Sequence, residues 1–302
     1  MLDFLDDPYS KSLQIGHQDG TSLKSISCLE FSPSGGYLLV GGDNGELRVF
    51  ETSTGAVVYN TSVEDGIMTA MWHPAAKRDF FFGTTQGAFL VKNFEGHPVF
   101  SGLRGQVYAL AFNKNQGFLA VGISEEVHIT KRLANLPGYS TAVILSSPPA
   151  EKLHAPALVD DRVRAKSLHF TRKGRQLIVS YLAHGVVCWD TKTGDILWRI
   201  VPSHESQLIG YTALSPNCRY MLLSNLTDGM DLYEVGKSHI ARSFKNAGVD
   251  QDNNLPLMPR FLHGGSSVAC GTSDGQVKVW KTMSGKHVED LDHERELRSL
   301  CL

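Results

Sequence analysis

Long apolar runs are missing from this sequence: none approaches the roughly 18 residues that a membrane-spanning helix needs. A secretory leader is missing too. Met1-Leu2-Asp3-Phe4-Leu5-Asp6-Asp7 is acidic, where such a signal is basic and then apolar. Neither sign of charge dominates, with 29 Lys+Arg against 31 Asp+Glu and a formal net charge of −2. Phosphate-tracking proteins carry a strongly basic face or tail, so nucleic acid is not expected as a direct ligand. Cysteine is scarce. The five (Cys28, Cys188, Cys218, Cys270, Cys301) are widely spread, with no CxxC or Cys/His pair at zinc spacing. Four of them sit inside apolar runs such as Val186-Val187-Cys188-Trp189, which suits buried reduced thiols acting as small hydrophobes. With no export signal, the expected setting is cytoplasmic or nuclear.

Catalytic signatures are equally sparse. There is no Gly-x-x-x-x-Gly-Lys phosphate loop and no Gly-x-Ser-x-Gly nucleophile elbow. Gly41-Gly42-Asp43-Asn44-Gly45 is glycine-rich but joins two strands, so it reads as a hairpin turn. Asp250-Gln251-Asp252-Asn253-Asn254 begins like a calcium loop. Leu255 then stands where glycine is needed and Phe261 where a bidentate glutamate is needed. No catalytic residue, metal site or cofactor is expected. The 12 histidines are scattered, and His73, His169 and His263 fall beside turns, where polar surface is expected.

Repetition is what the sequence does have. Short apolar runs ending in a turn recur with leading residues Phe31, Trp72, Phe112, Phe170, Leu214 and Phe261. The steps between them are 41, 40, 58, 44 and 47 residues, and one more step of 41 reaches Leu302. A fixed period of this length marks a repeat architecture. Inside each period a second apolar run closes on a small residue, as in Val40-Gly41, Phe82-Gly83, Val121-Gly122, Val179-Ser180, Leu223-Ser224 and Cys270-Gly271. A tight turn such as Asn44-Gly45, Asp228-Gly229 or Asp274-Gly275 follows, supplying the φ > 0 position that a short hairpin needs. A third strand alternates (Leu47–Phe50, Val186–Trp189, Val277–Trp280). Thr54-Gly55, Thr193-Gly194 or Ser284-Gly285 then leads to a fourth. Each period is four short antiparallel strands with no useful helix. A lone sheet of this kind cannot bury both faces; radial stacking can.

Trp189-Asp190, Asp274-Gly275-Gln276-Val277-Lys278-Val279-Trp280 and Phe31-Ser32-Pro33-Ser34-Gly35 resemble the WD-repeat β-propeller family. The resemblance spans about residues 11–302, with residues 1–10 as an N-terminal extension. It implies an all-β propeller of four-stranded blades: six complete, centred near 25–59, 66–100, 105–145, 163–199, 208–242 and 256–290, and an incomplete or composite seventh. In that seventh unit Lys11–His17 reads as a fourth strand and residues 297–302 as a first, so the native chain is expected to continue past Leu302. Trp189-Asp190 is the one literal Trp-Asp pair. The family's histidine is missing from most repeats, so its His–Asp–Ser/Thr–Trp network is expected to be absent or partial.

The largest excesses over the ~41-residue repeat fall in fourth-to-first-strand connections, at 146–161 and 245–259. A third long connection spans 16–24, and all three belong to one face. Pro148, Pro149 and Pro156 would keep the first extended and lower the entropy lost on docking. The function expected is therefore a non-catalytic scaffold for a protein partner of unknown identity. The partner would meet Asp160, Asp161, Arg162, Arg164, Asp250, Asp252 and Asn253, with the two arginines as anchors. A small-ligand or hydrolytic propeller is the alternative, and would need several Asp, Glu, His or Arg side chains converging at the axis.

Overall fold

Alternation of apolar and polar residues, broken every five or six positions by a glycine turn, divides the described residues into 23 strands in a computed structural model of the protein. The structure describes residues 25–94, 103–134, 138–149, 162–202, 208–245, 256–273 and 275–292. Blade 1 is β1 (Ile26–Phe31), β2 (Tyr37–Gly42), β3 (Glu46–Glu51) and β4 (Val57–Ser62). Blade 2 is β5 (Ile67–Trp72), β6 (Phe80–Thr84) and β7 (Ala88–Val91); the fourth strand expected before residue 100 lies outside the described residues. Blade 3 holds β8 (Val107–Asn113), β9 (Phe118–Ile123), β10 (Glu126–Arg132) and β11 (Tyr139–Leu145). Blade 4 holds β12 (Ala165–Phe170), β13 (Gln176–Tyr181), β14 (Gly185–Asp190) and β15 (Ile196–Ile200). Blade 5 holds β16 (Thr212–Leu214), β17 (Tyr220–Ser224), β18 (Gly229–Glu234) and β19 (Ile240–Lys245). Blade 6 holds β20 (Arg260–Leu262), β21 (Ser267–Gly271), β22 (Gln276–Lys281) and β23 (His287–Asp292). Within every blade the strands pair antiparallel in sequence order. The one helical turn among the described residues is a 3₁₀ turn at His263–Gly265.

The repeat turns are built alike. Ser32 N–H donates to the Tyr37 carbonyl while the Ser32 hydroxyl accepts the Tyr37 N–H. Ser215 does the same with Tyr220. The last hairpin of blades 1, 4 and 6 closes on Gly55, Gly194 and Gly285, all near φ +70°, each with a one-residue bulge on the fourth strand just after the turn. Asp190, the acid of the Trp-Asp pair, caps its turn by accepting the N–H groups of Lys192 and Thr193. Those two bonds hold its carboxyl below the usual carboxylate range. Blade 5 carries a buried polar network. There the buried Asp231 accepts from Asn225 at 3.0 Å and from Ser243 at 2.6 Å.

Burial follows strand position. The second strands are apolar without alternation, as in Phe80-Phe81-Phe82, because blades cover them on both faces. The fourth strands sit at the rim and leave Val57, Val58, Ile196 and Leu197 exposed. Five apolar clusters lie between successive blades, from 1 and 2 (Leu39, Leu47, Phe80, Phe82) to 5 and 6 (Leu222, Phe244, Val268, Trp280). Each fully buried large side chain contributes roughly 1.5–3 kcal/mol. Between blades 6 and 1, an ion pair of Arg260 Nη2 with Glu30 Oε2 at 3.2 Å makes the contact seen among the described residues. The seventh unit expected from residues 11–17 and 297–302 lies outside them. Cys28, Cys188 and Cys270 are buried strand residues with free thiols. Cys218 is half-buried in a turn with φ +57°, and Cys301 lies outside the described residues.

Candidate functional site

The first strand of every blade is the innermost, so β1, β5, β8, β12, β16 and β20 together surround an axial channel of about 520 Å³. In a sheet whose strands pair in sequence order, the fourth-to-first connections all emerge at the end where the first strand starts. Residues early in the innermost strands therefore sit at that mouth, and the repeat turns sit at the other.

Midway down the channel, three ionisable side chains stand one residue before the leading aromatic of their repeats: Glu30 before Phe31, His169 before Phe170 and Arg260 before Phe261. Burial pushes the Glu30 carboxyl upward, opposed by the Arg260 guanidinium that pairs with it. His169 Nε2 lies 3.1 Å from the Thr212 carbonyl and 2.9 Å from its hydroxyl, so this nitrogen carries a proton and donates to the carbonyl. Burial drives its pKa down to about 4, and Arg260 adds to the effect, so the imidazole is neutral at physiological pH. The expectation of polar surface at His169 is thus corrected, because its position in the innermost strand turns it into the channel. His73 is also partly buried, with its ring centroid 4.6 Å from that of Phe112 and its pKa lowered by burial.

Nearer the connection mouth stands Lys166. Its Nζ lies 3.3 Å from the Tyr211 hydroxyl and 4.4 Å from the centre of that ring. Burial first, and then the neighbouring Arg164, bring its pKa down to about 8. At the far mouth Arg172 donates to the Pro216 carbonyl at 3.1 Å, and Asn115 donates to the Arg172 carbonyl at 2.8 Å, clasping blades 3, 4 and 5.

Of the residues singled out from sequence, Arg162 is exposed and Arg164 half-buried in the segment that enters β12. Asp160, Asp161, Asp250, Asp252 and Asn253 lie outside the described residues. Sequence reasoning did not select Glu30, Lys166, His169 or Arg260. Their fixed offset from the repeat aromatics was the available signal. Among the described residues no three His, Cys, Asp or Glu side chains gather as a metal site would require, and no helix is long and apolar enough to cross a membrane.

The ring of sequence-ordered sheets matches known structures. The chain aligns with the crystal structure of the Myceliophteria thermophila Cps50 (Swd1) beta-propeller domain at a TM-score of 0.73 and 16% identity. The alignment covers 96% of this chain and 90% of that one. The fold is that of a β-propeller. A profile of the anaphase-promoting complex subunit 4 WD40 domain matches residues 11–75 of this propeller. No curated protein sequence matches it.

Proposed function

We propose that this WD-repeat propeller is a non-catalytic scaffold that docks a protein partner on the face where the blade-to-blade connections emerge. The observation that carries the reading is the path of the chain at blade 4. The connection 146–161 leads into exposed Arg162 and half-buried Arg164, and from there directly into channel-lining β12. A partner held by that connection meets the channel mouth. Asp160, Asp161, Asp250, Asp252 and Asn253 belong to the same proposed surface, Arg162 and Arg164 being its anchors. The profile match supports the reading, since it describes a subunit of a multi-protein complex. Residues 11–302 act in this reading as one propeller unit with 1–10 as an extension, in a cytoplasmic or nuclear setting.

Replacing 146–161 by a four-residue turn tests it. The shortened protein is expected to fold and to lose partners in affinity capture with mass spectrometry from the native source. Recovery of every partner would place the interaction face elsewhere.

A small-ligand reading has one observation in its favour: Glu30, His169 and Arg260 do line the channel. Glu30 and Arg260 are engaged with each other and His169 with Thr212, so the pair of free carboxylates or the nucleophile–base dyad of a hydrolase is not among the described lining residues. Thermal-shift screening against small metabolites checks this second reading.

A further inference from the structure

We propose that the connection-side mouth of the channel receives an acidic segment of a partner protein, whose Asp or Glu carboxylate pairs with Lys166 beside Arg164. This rests on the scaffold reading and names the chemistry it would recognise.

Charge complementarity carries the inference. The whole chain has a formal charge of −2, yet the channel lining among the described residues holds Lys114, Lys166, Arg172 and Arg260 against the carboxylate of Glu30. That carboxylate is taken by Arg260, and Arg172 is taken by the Pro216 carbonyl. Lys166 is different. Its contacts are the hydroxyl and ring face of Tyr211, and among the described residues no carboxylate meets it. Buried charges are ordinarily paired, because desolvating an ammonium without a counter-charge is costly. The downward displacement of the Lys166 pKa to about 8 is the signature of that uncompensated cost. A cation held this way has most to gain from an incoming anion.

The path to it is also basic. Arg162 is exposed, Arg164 is half-buried, and Lys166, at the register shift that opens β12, lines the channel, so the three cations follow one another along the chain from solvent inward. Such a focused potential raises the local concentration of anionic groups and the rate of encounter. A volume of about 520 Å³ admits several side chains of an extended peptide. Tyr211 and Tyr108 line it, the Tyr108 hydroxyl donating to Gln106 at 3.0 Å.

Panning a random dodecapeptide phage library on the whole chain, followed by fluorescence anisotropy of the enriched peptides, tests the proposal. Enriched sequences are expected to carry Asp or Glu. Their affinity is expected to fall about tenfold or more in Lys166→Met, the loss typical of a charge-assisted hydrogen bond, and to weaken as pH is raised past about 8. Lys166→Met is judged only once its thermal melt matches the parent, and Arg164→Gln serves as a second variant expected to weaken the same peptides. Three outcomes overturn the proposal: no peptide enriched over a control protein, enriched peptides without acidic residues, or acidic peptides whose affinity both variants leave unchanged. A thermal stabilisation by millimolar inorganic phosphate that Lys166→Met abolishes, with no peptide selected, would assign the site to a free anion instead, which also overturns it. Peptides insensitive to Lys166→Met but lost on shortening 146–161 would refute this inference while leaving the scaffold reading intact.

Discussion

Substituting Gly83 by alanine inserts a methyl group into the seam between blades 2 and 3. Gly83 closes the apolar run of β6, and a Cβ built on it would stand 2.6 Å from Val107 Cβ on the first strand of blade 3. Val107 is fully buried and cannot swing aside. The backbone at Gly83 is ordinary strand, paired with Thr69 and Ala88, so the substitution tests packing and not left-handed strain. Overpacking a close-packed interior typically costs 1–3 kcal/mol. Relief of glycine's unfavourable strand entropy offsets about 0.5–1 kcal/mol of this. The net expectation is a loss of about 1–2 kcal/mol. With an unfolding entropy near 2.1 cal/mol/K per residue, a chain of this size loses about 1.5–2 °C of Tm for each kcal/mol. Calorimetry should therefore show Gly83→Ala melting roughly 2–4 °C below the parent.

The double variant sharpens the test. Val107→Ala alone opens a void and destabilises. Combined with Gly83→Ala, it removes the γ-carbon that the new methyl meets first but keeps Val107 Cβ, so the double variant should lose somewhat less than the two single losses added together. A parent-like Tm for Gly83→Ala, or strict additivity in the double variant, would refute the claim that this glycine exists to admit its neighbour.

Two further predictions follow from buried ionisable groups. His169, with its pKa brought down to about 4 from an unfolded value near 6.5, disfavours the protonated form; stability is full above pH 6.5 and is lost as pH falls toward 4, on the order of 3 kcal/mol in all, a dependence that His169→Gln should flatten in acid-denaturation profiles. Burial pushes the Cys188 and Cys270 thiols up to about 12, so thiol titration of the native protein should leave both unreacted while half-buried Cys218 reacts; Cys218→Ser should remove one fast-reacting thiol, and fast labelling of Cys188 would contradict the buried assignment.

Strand position was legible because turn chemistry is local. A serine or aspartate at the start of a tight turn, and a glycine where φ is positive, act through neighbours two to five residues away, and the turns at Ser32 and Ser215 have that form. The small residue that closes each second strand was legible as a pattern but not as a cause. Its reason lies one blade on: Gly41 admits Ile67, Gly83 admits Val107, Gly122 admits Ala165, and Ser180 bonds the Thr212 hydroxyl at 2.7 Å. The channel chemistry was hidden for the same reason. His169 beside a turn looks like surface in one repeat; only closure of the ring brings it within reach of Thr212 and Arg260, 43 and 91 positions away in the chain.

Successive blades along the chain are joined by apolar clusters, and among the described residues an ion pair between half-exposed side chains links blade 6 back to blade 1. Such a pair contributes at most about 1 kcal/mol, while each apolar seam contributes several. Strand alternation also turns Val40 and Phe50 of blade 1, and Ala269 and Val279 of blade 6, away from the clusters their neighbours form, and all four are buried. The Arg260–Glu30 pair therefore fixes the register of the ring at its ends more than it holds the ends together. It also explains why one carboxylate stands among four cations in the channel: Glu30 belongs to the seam, and the positive charge left over belongs to the axis.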